Sequence, residues 1–483
     1  PHDAMIYQER KKDTANAHQT GFYPGGEYTY MKQWEVPKDW QGQTIQLHFE
    51  GIADTSRIYV NGDLVKVHYN PYSSLIVDVT NYVNYGESNE IKVEVCSIEQ
   101  SSRWYSGAGL YRNVSVWVGG EVHIPPRGTR ISTLSADNEF AEIDLEISLY
   151  NRSVHKRRTR IECTISDVKG KMVATDWAIV TAFGESTQVH KQKLTIENPM
   201  LWSDETPYLY IARIDVKEGD EIIDSYTTSI GIRTLRLNAK QGLLLNGKET
   251  KLRGTCIHHD NGVIGAATFK DAEYRRCHLL KEAGFNAIRS SHHPMSEAML
   301  EACDQMGMLV MDELVDMWTR TKSPHDYANY FPEYWEEDVK EMIEKDFNHP
   351  CVIMYSTGNE IPELGTPRGA SWNRKIDQRI KQLDSTRYTT TGMNGLMAGV
   401  DKIGEIIAEA SGMSPEELAV AQLSKEKETA GSDDVNSMAA VMVGPLADAI
   451  ATSTTLEEVI GEFAAVNDIA GYNYLTGLHE EEI

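Results

Sequence analysis

DAEYRRCHLLKEAGFNAIRSSHHPMSEAMLEACDQMGMLVMDELVD (residues 271–316) alternates two rhythms. The segments 271–284 and 296–307 carry apolar residues at helical spacing, whereas FNAIRSSHHP (285–294) and MLVMDELVD (308–316) are short, largely apolar runs that end in polar residues, as buried strands do. The alternation extends both ways. KLRGTCIHHD (251–260) reads as a strand before the first helix; the helical EEDVKEMIEKDFNH (336–349) precedes CVIMYSTGNE (351–360), NRKIDQRIKQLD (373–384) precedes RYTTTGM (387–393), and DIAGYNYL (468–475) reads as a further strand. Alternating strand and helix imply a parallel sheet, and so many units in succession favour a (β/α)8 TIM barrel over a doubly wound sheet. No glycine-rich dinucleotide fingerprint follows the first strand, so a nicotinamide or flavin role is unsupported. The strand candidates end near Asp260, His293, Glu313, Glu360, Met393 and Tyr474. A closed barrel of this type needs eight, so an incomplete barrel is expected, with the remaining strands beyond residue 483.

Upstream the pattern is all β. TIQLHFEGI (44–52), SRIYVNGDLV (56–65), NEIKVEVCS (89–97) and NVSVWVGG (113–120) alternate polar and apolar residues, and Asn61-Gly62 signals a type I′ hairpin. A second series, 131–151, 158–167, 186–199 and 208–233, suits an immunoglobulin-like β-sandwich. The expected organisation is therefore a β-sandwich over 1–118, a second sandwich over 119–232, and a barrel over 233–483 with a helical insertion at 396–466, where the chain is rich in Ala, Met and Glu.

Composition narrows the function. Hydrophobic residues make up 41% and charged residues 25%, and no apolar run approaches the ~18–20 residues of a membrane span. The formal charge of −25, from 72 acidic and 47 basic residues without a basic stripe, argues against a nucleic-acid partner. Six cysteines (Cys96, Cys163, Cys256, Cys277, Cys303, Cys351) lack CxxC spacing and read as reduced thiols, which mildly favours a reducing compartment. The chain opens on Pro1-His2-Asp3 as though cut from something longer, so export is not readable and both cytoplasmic and periplasmic locations stay open. A homo-oligomer is equally open.

Polar residues stand at the end of nearly every barrel strand: His258, His259 and Asp260; Arg289, Ser291, His292 and His293; Asp312 and Glu313; Asn359 and Glu360; Asn473 and Tyr474. In a barrel these ends form one mouth, where active sites are built. Taken singly, a strand-end glutamate is more often solvated or capping, and a lone histidine is usually just hydrogen-bonded. Four histidines on two neighbouring strands raise a metal site as a rival. Barrel metallohydrolases place two ligands on one face, however, and the adjacent His258 and His259 point opposite ways.

NAIRSSHHPMSEAMLEACDQMGMLVMDE (286–313) and FNHPCVIMYSTGNE (347–360) resemble the two signatures of glycoside hydrolase family 2, the β-galactosidases, β-glucuronidases and β-mannosidases, with His293 where tyrosine is usual and Tyr355 where tryptophan is common. SRWYSGAGLYRNVSV (102–116) is similar to the end of the family's sugar-binding jelly roll, ENPMLWSDETPYLY (197–210) to its immunoglobulin-like domain, and LLLNGKETKLRGTCIHHD (243–260) to its barrel entrance.

The resemblance implies a retaining exo-β-glycosidase acting on a carbohydrate, galactosidase-like first and glucuronidase- or mannosidase-like second. Such enzymes use two carboxyl groups ~5–5.5 Å apart, one protonating the leaving oxygen and one attacking the anomeric carbon. Glu360 is the implied general acid/base, a role that requires a carboxyl raised by burial and by the nucleophile's charge, and Asn359 the implied partner of a sugar hydroxyl. His258 and His292 are implied sugar contacts, Tyr474 the tyrosine beside the nucleophile, and Arg103 and Trp104 a loop reaching the barrel from the first domain. Trp318 is a candidate platform for a sugar ring, with wall packing an even alternative. Arg289 and Asp312 are expected to organise the strand mouth as a buried ion pair.

No cofactor is expected. Some family members bind magnesium through an acidic-x-His group, and the corresponding Asp316-Met317-Trp318-Thr319 lacks it, so no such metal is expected either. The nucleophile is expected on the strand after Tyr474, outside this chain, so the chain by itself is expected to be inactive. Two other classes remain, a noncatalytic carbohydrate-binding protein and a metal-dependent barrel hydrolase.

Overall fold

A computed structural model describes residues 1–15, 17–395, 405–406, 409 and 453–474. The chain divides into two compact units: Pro1–Asp312 with Ser323–Asp326 and Glu337–Ile353, and Glu313–Lys322 with Tyr327–Glu336 and Met354–Ile483.

The first unit contains both sandwiches. In the N-terminal one, Gly26–Glu35, Ser88–Ser97, Thr55–Val60 and Asp63–His68 form one antiparallel sheet, and Leu75–Asp78, Thr44–Phe49 and Val114–Gly119 form the other. Alternate residues point inward, so Ile45, Leu47, Phe49, Ile58, Val60, Val93 and Val95 share one core. The Asn61-Gly62 turn has φ of +53° and +90°, the signs a type I′ hairpin needs.

The second sandwich sets Ser186–Glu197, Phe140–Asn151 and Val122–His123, with Thr129–Ala136 also paired to Phe140–Asn151, beside a sheet ordered Met172–Ala182, Arg157–Ser166, Tyr210–Glu218, Glu221–Ile230. Residues 131–151, a single run by pattern, fold as two strands because the Asp137 carboxylate accepts the backbone N–H groups of Glu139 and Phe140 and turns the chain. The edge strand Met172–Ala182 carries weak alternation and leaves Trp177 exposed, which hides it from pattern reading.

The barrel strands are β1 (Gly254–Ile257), β2 (Ala287–Ser290), β3 (Leu309–Glu313), β4 (Val352–Asn359), β5 (Tyr388–Asn394) and β6 (Gly471–Asn473), hydrogen-bonded in that order. The helices are α1 (Lys270–Glu282), α2 (Glu297–Met306), α3 (Phe331–Asp346), α4 (Pro367–Leu383) and α5 (Thr454–Ala464). Within the first unit β1 pairs β2 and β2 pairs β3, all parallel, and the Val310 N–H donates to the Cys351 carbonyl at 2.8 Å. Within the second unit β4 pairs β5 and β5 pairs β6, also parallel, and the Leu314 N–H donates to the Ser356 carbonyl at 3.0 Å.

Every residue of β4 is buried, as expected of a parallel strand covered on both faces. Helix α4 starts earlier than its apolar spacing suggests because Thr366 caps it and Pro367 occupies its first turn. Most of the expected insertion at 396–466 lies outside the described residues; its end is α5, capped by Ser453. All six cysteines are free thiols, and among the described residues no helix is long and apolar enough to cross a membrane.

Candidate active site

The end of β4 presents Asn359 and Glu360, 1% and 9% exposed. Glu360 has φ +45°, a left-handed conformation that costs a residue with a Cβ about 1–3 kcal/mol and persists where surrounding bonds hold it. Here the Glu360 N–H donates to the Gly392 carbonyl at 2.7 Å, and the Asn359 N–H to the Val315 carbonyl at 3.1 Å. The Glu360 carboxylate is placed by two amides: Oε1 accepts Nδ2 of Asn394 at 3.1 Å and Nδ2 of Asn473 at 3.3 Å. Asn394 ends β5 and Asn473 ends β6, so three consecutive strand ends converge on one carboxyl group.

Asn359 is fixed from both sides. Its Nδ2 donates to Asp316 Oδ1 at 2.7 Å and its Oδ1 accepts Asn473 Nδ2 at 3.0 Å. Asp316 Oδ1 also accepts the ammonium of Lys322 at 2.8 Å, and Lys322 donates to the Asn359 carbonyl at 2.7 Å. Tyr474, also in a left-handed conformation with φ +63°, follows β6 and is half exposed.

Trp318 leaves the set of sugar-facing candidates. Its indole is fully buried, donates to the Thr357 carbonyl at 3.0 Å and stacks on Phe463 at 5.8 Å between ring centroids. A side chain with no exposed face packs the wall. Gly358 permits the approach, since a Cβ there would lie 2.9 Å from the indole nitrogen.

In the first unit the four histidines sort by strand parity into two sets. His258 and His292 face each other at 5.4 Å and flank Trp104 at 4.8 and 5.5 Å. Arg103 lies over the Trp104 ring at 4.6 Å, and Trp104 Nε1 is buried without a hydrogen-bond partner among the described residues. His259 and His293 turn the other way. His293 stacks on Tyr72 at 4.0 Å, and His259 accepts Arg112 at 3.4 Å through Nδ1 while its Nε2 meets the His293 carbonyl at 3.1 Å. Burial and the neighbouring Arg112 push the His259 imidazole well below its ordinary range, so it stays neutral. These two histidines bind the first sandwich to the barrel strands rather than completing a four-histidine metal site.

Asp312, expected beside Arg289, bonds a cation that pattern reading missed: Lys345 of α3 donates to its Oδ2 at 3.0 Å. Asp312 Oδ1 also accepts the Met295 N–H at 2.8 Å, tying the end of β3 to the loop before α2. Arg289 stands half-buried on β2.

One trio of metal-ligating types occurs among the described residues, Asp304, His349 and Cys351, with ligand atoms within 4.8 Å of one another. Its groups are already engaged. Asp304 pairs with His349 at 2.6 Å and accepts the Cys351 N–H at 3.0 Å, and burial pushes the Cys351 thiol well up, so no thiolate is offered.

Sequence reasoning missed Asn394, Lys322 and Lys345 and gave Asp316 and Asn473 no part in holding Glu360. Asn394 directly follows the strand read at 387–393 and Asn473 lies near the end of the one read at 468–475, so the strand-end rule comes within a residue of both. Lys322 sits in a loop and carries no pattern.

Three family models match the chain in order: "Glycosyl hydrolases family 2, sugar binding domain" over 3–119, "Glycosyl hydrolases family 2" over 122–233, and "Glycosyl hydrolases family 2, TIM barrel domain" over 236–434. The chain belongs to glycoside hydrolase family 2. It is 39% identical over 364 residues to the β-galactosidase BoGH2A of Bacteroides ovatus, covering 75% of this chain and 43% of that protein. It is 25% identical over 393 residues to a β-glucuronidase of Bacteroides fragilis, covering 77% of this chain and 55% of that one. A solved family 2 structure from Bacteroides cellulosilyticus superposes with a TM-score of 0.85 at 33% identity, covering all of this chain and 55% of that one. This family 2 chain therefore spans about half the length of the relatives it matches. Its architecture is that of the family: two β-sandwiches and a parallel barrel sheet of which six strands are described.

Proposed function

We propose that this chain carries the acid/base half of a retaining exo-β-glycosidase that removes a terminal β-linked sugar, galactose in the first instance. One observation carries the reading. A nearly buried carboxyl group, Glu360, stands at the end of β4 with its Oε1 held by two amide donors and with Asn359 locked beside it. In this reading Glu360 protonates the departing glycosidic oxygen and then takes the proton of the incoming water, while Asn359 binds a sugar hydroxyl whose contact tightens as the oxocarbenium-like centre develops. The nucleophile is a second carboxylate, for which no residue of this chain is assigned.

His258, His292, Trp104 and Arg103 bind the sugar, and Tyr474 lies beside the nucleophile. The unpartnered indole N–H of Trp104 supports a polar ligand at that position. The galactoside preference is supported by 39% identity to a protein named β-galactosidase, and the glucuronide alternative by the 25% identity to one named β-glucuronidase.

The test uses the full-length protein with paired substrates. Replacing Glu360 with Gln removes proton donation, so cleavage of glycosides with poor leaving groups should fall at least ~100-fold while activated aryl glycosides lose much less. Equal losses on both would reject the assignment. Nitrophenyl β-galactoside against the β-glucuronide then separates the two substrates.

A further inference from the structure

Lys322 is a cation with 4% of its side chain exposed, in a loop between β3 and α3, and two of its bonds lead to the Asn359-Glu360 corner. Its ammonium bonds Asp316 Oδ1 at 2.8 Å and the carbonyl of Asn359, the peptide that enters Glu360, at 2.7 Å. Asp316 is fully buried, and the same Oδ1 accepts the Asn359 amide at 2.7 Å. A carboxylate is an acceptor only, whereas a carboxylic acid can also donate. While Asp316 is charged, Asn359 must present its NH2 group to it, which turns Oδ1 toward Asn473 and fixes the direction of the remaining N–H. A buried carboxylate keeps its charge where a cation compensates it.

We infer that Lys322 is a positioning residue for the glycosidic reaction: by holding Asp316 as a carboxylate it sets which way the Asn359 amide faces, and its bond to the Asn359 carbonyl keeps that residue in place. This rests on the acid/base reading of Glu360.

The test replaces Lys322 with Met in the full-length protein and reads two quantities. The first needs no catalysis: in a crystal structure of the variant the Asn359 amide should leave its bonds to Asp316 and Asn473. An amide that stays in place overturns the inference whether or not any sugar is cleaved. The second is kcat/KM on an aryl β-glycoside and on its 2-deoxy counterpart. The hydroxyl assigned here to Asn359 is the one at the 2-position, where such contacts tighten in the transition state, so the loss should be about 100-fold on the first and several-fold at most on the second.

Equal losses on both substrates, as a merely structural role would produce, overturn it. Should the wild-type protein cleave no glycoside while the amide moves as expected, the glycosidase reading fails and the orienting role stands. If the single variant does not fold, the Lys322→Met/Asp316→Asn pair removes the cation and the carboxylate together and undergoes the same two measurements. A neutral amide at 316 can offer either end to Asn359, so orientation is still lost.

Discussion

Trp104 illustrates how one side chain can be legible in kind and opaque in geometry. It belongs to the SRWYSGAG motif, but only the fold sets it against His258 and His292 with its Nε1 unpartnered among the described residues. Replacing Trp104 with Phe keeps an aromatic ring and removes the N–H. One lost hydrogen bond to substrate, about 1.5 kcal/mol, should raise KM about 10-fold with kcat nearly unchanged in steady-state assays on the full-length protein. A fall in kcat at constant KM would place the residue in transition-state stabilisation instead. The histidines were half readable: adjacency says His258 and His259 face apart, while their partners Trp104 and Tyr72, far away in sequence, are set by the fold.

At the scale of elements, helix α2 and helix α3 are anchored by bonds of very different worth. The Ser296 hydroxyl caps α2 by accepting the Met299 N–H at 3.2 Å, and Gly307 closes the helix with φ +70°. Ser296→Ala should cost about 1 kcal/mol in denaturant unfolding. Lys345, near the end of α3, sits with 4% of its side chain exposed between Asp312 and Asp346, bonding both. Burial pushes the Asp346 carboxyl up, and the ammonium is what permits charge in this cluster. Lys345→Met takes the ammonium away from both carboxylates and should cost ~3–5 kcal/mol in the same measurement, several times the cap. A cost equal to that of the cap would mean that water reaches the cluster in the variant. The helix that Ser296 caps was visible in the sequence as the helical run 296–307. The Lys345 cluster was not, because α3 and β3 meet only through the fold.

At the scale of the whole molecule, one junction ties three parts of the first unit together. Arg127 of the second sandwich bonds Glu297 in the first turn of α2, with His48 of the first sandwich 3.8 Å from the same carboxylate oxygen. Burial alone would push the Glu297 carboxyl up; Arg127 and His48 outweigh it and bring it down to about 2, against an ordinary value of 4.5. Between those values the unfolded chain binds more protons than the folded one, so stability rises with pH there. The contribution is intact above pH 4.5 and is lost as the pH falls toward 2. Glu297→Gln should therefore destabilise the protein at pH 7 by an amount between the ~1 kcal/mol of an exposed pair and the ~3–5 kcal/mol of a buried one. At pH 3 the difference between wild type and variant should be smaller, and unfolding midpoints at the two pH values check it. An unchanged difference would mean that the pair does not titrate in that window.

The amino-acid sequence by itself determined the order of the architecture: two alternating-pattern sandwiches, then strand and helix in turn, with polar residues at the strand ends. Those are local properties, because the side-chain periods of strands and helices are written in consecutive residues. Tertiary structure decided the partners. Glu360 is held by Asn394 and Asn473, 34 and 113 residues away, Trp318 is buried against Phe463, and Lys322 reaches Asn359 from 37 residues upstream. Electrostatic and hydrogen-bond partners are chosen by distance in space, which a linear pattern does not carry until the parallel sheet brings its strand ends together.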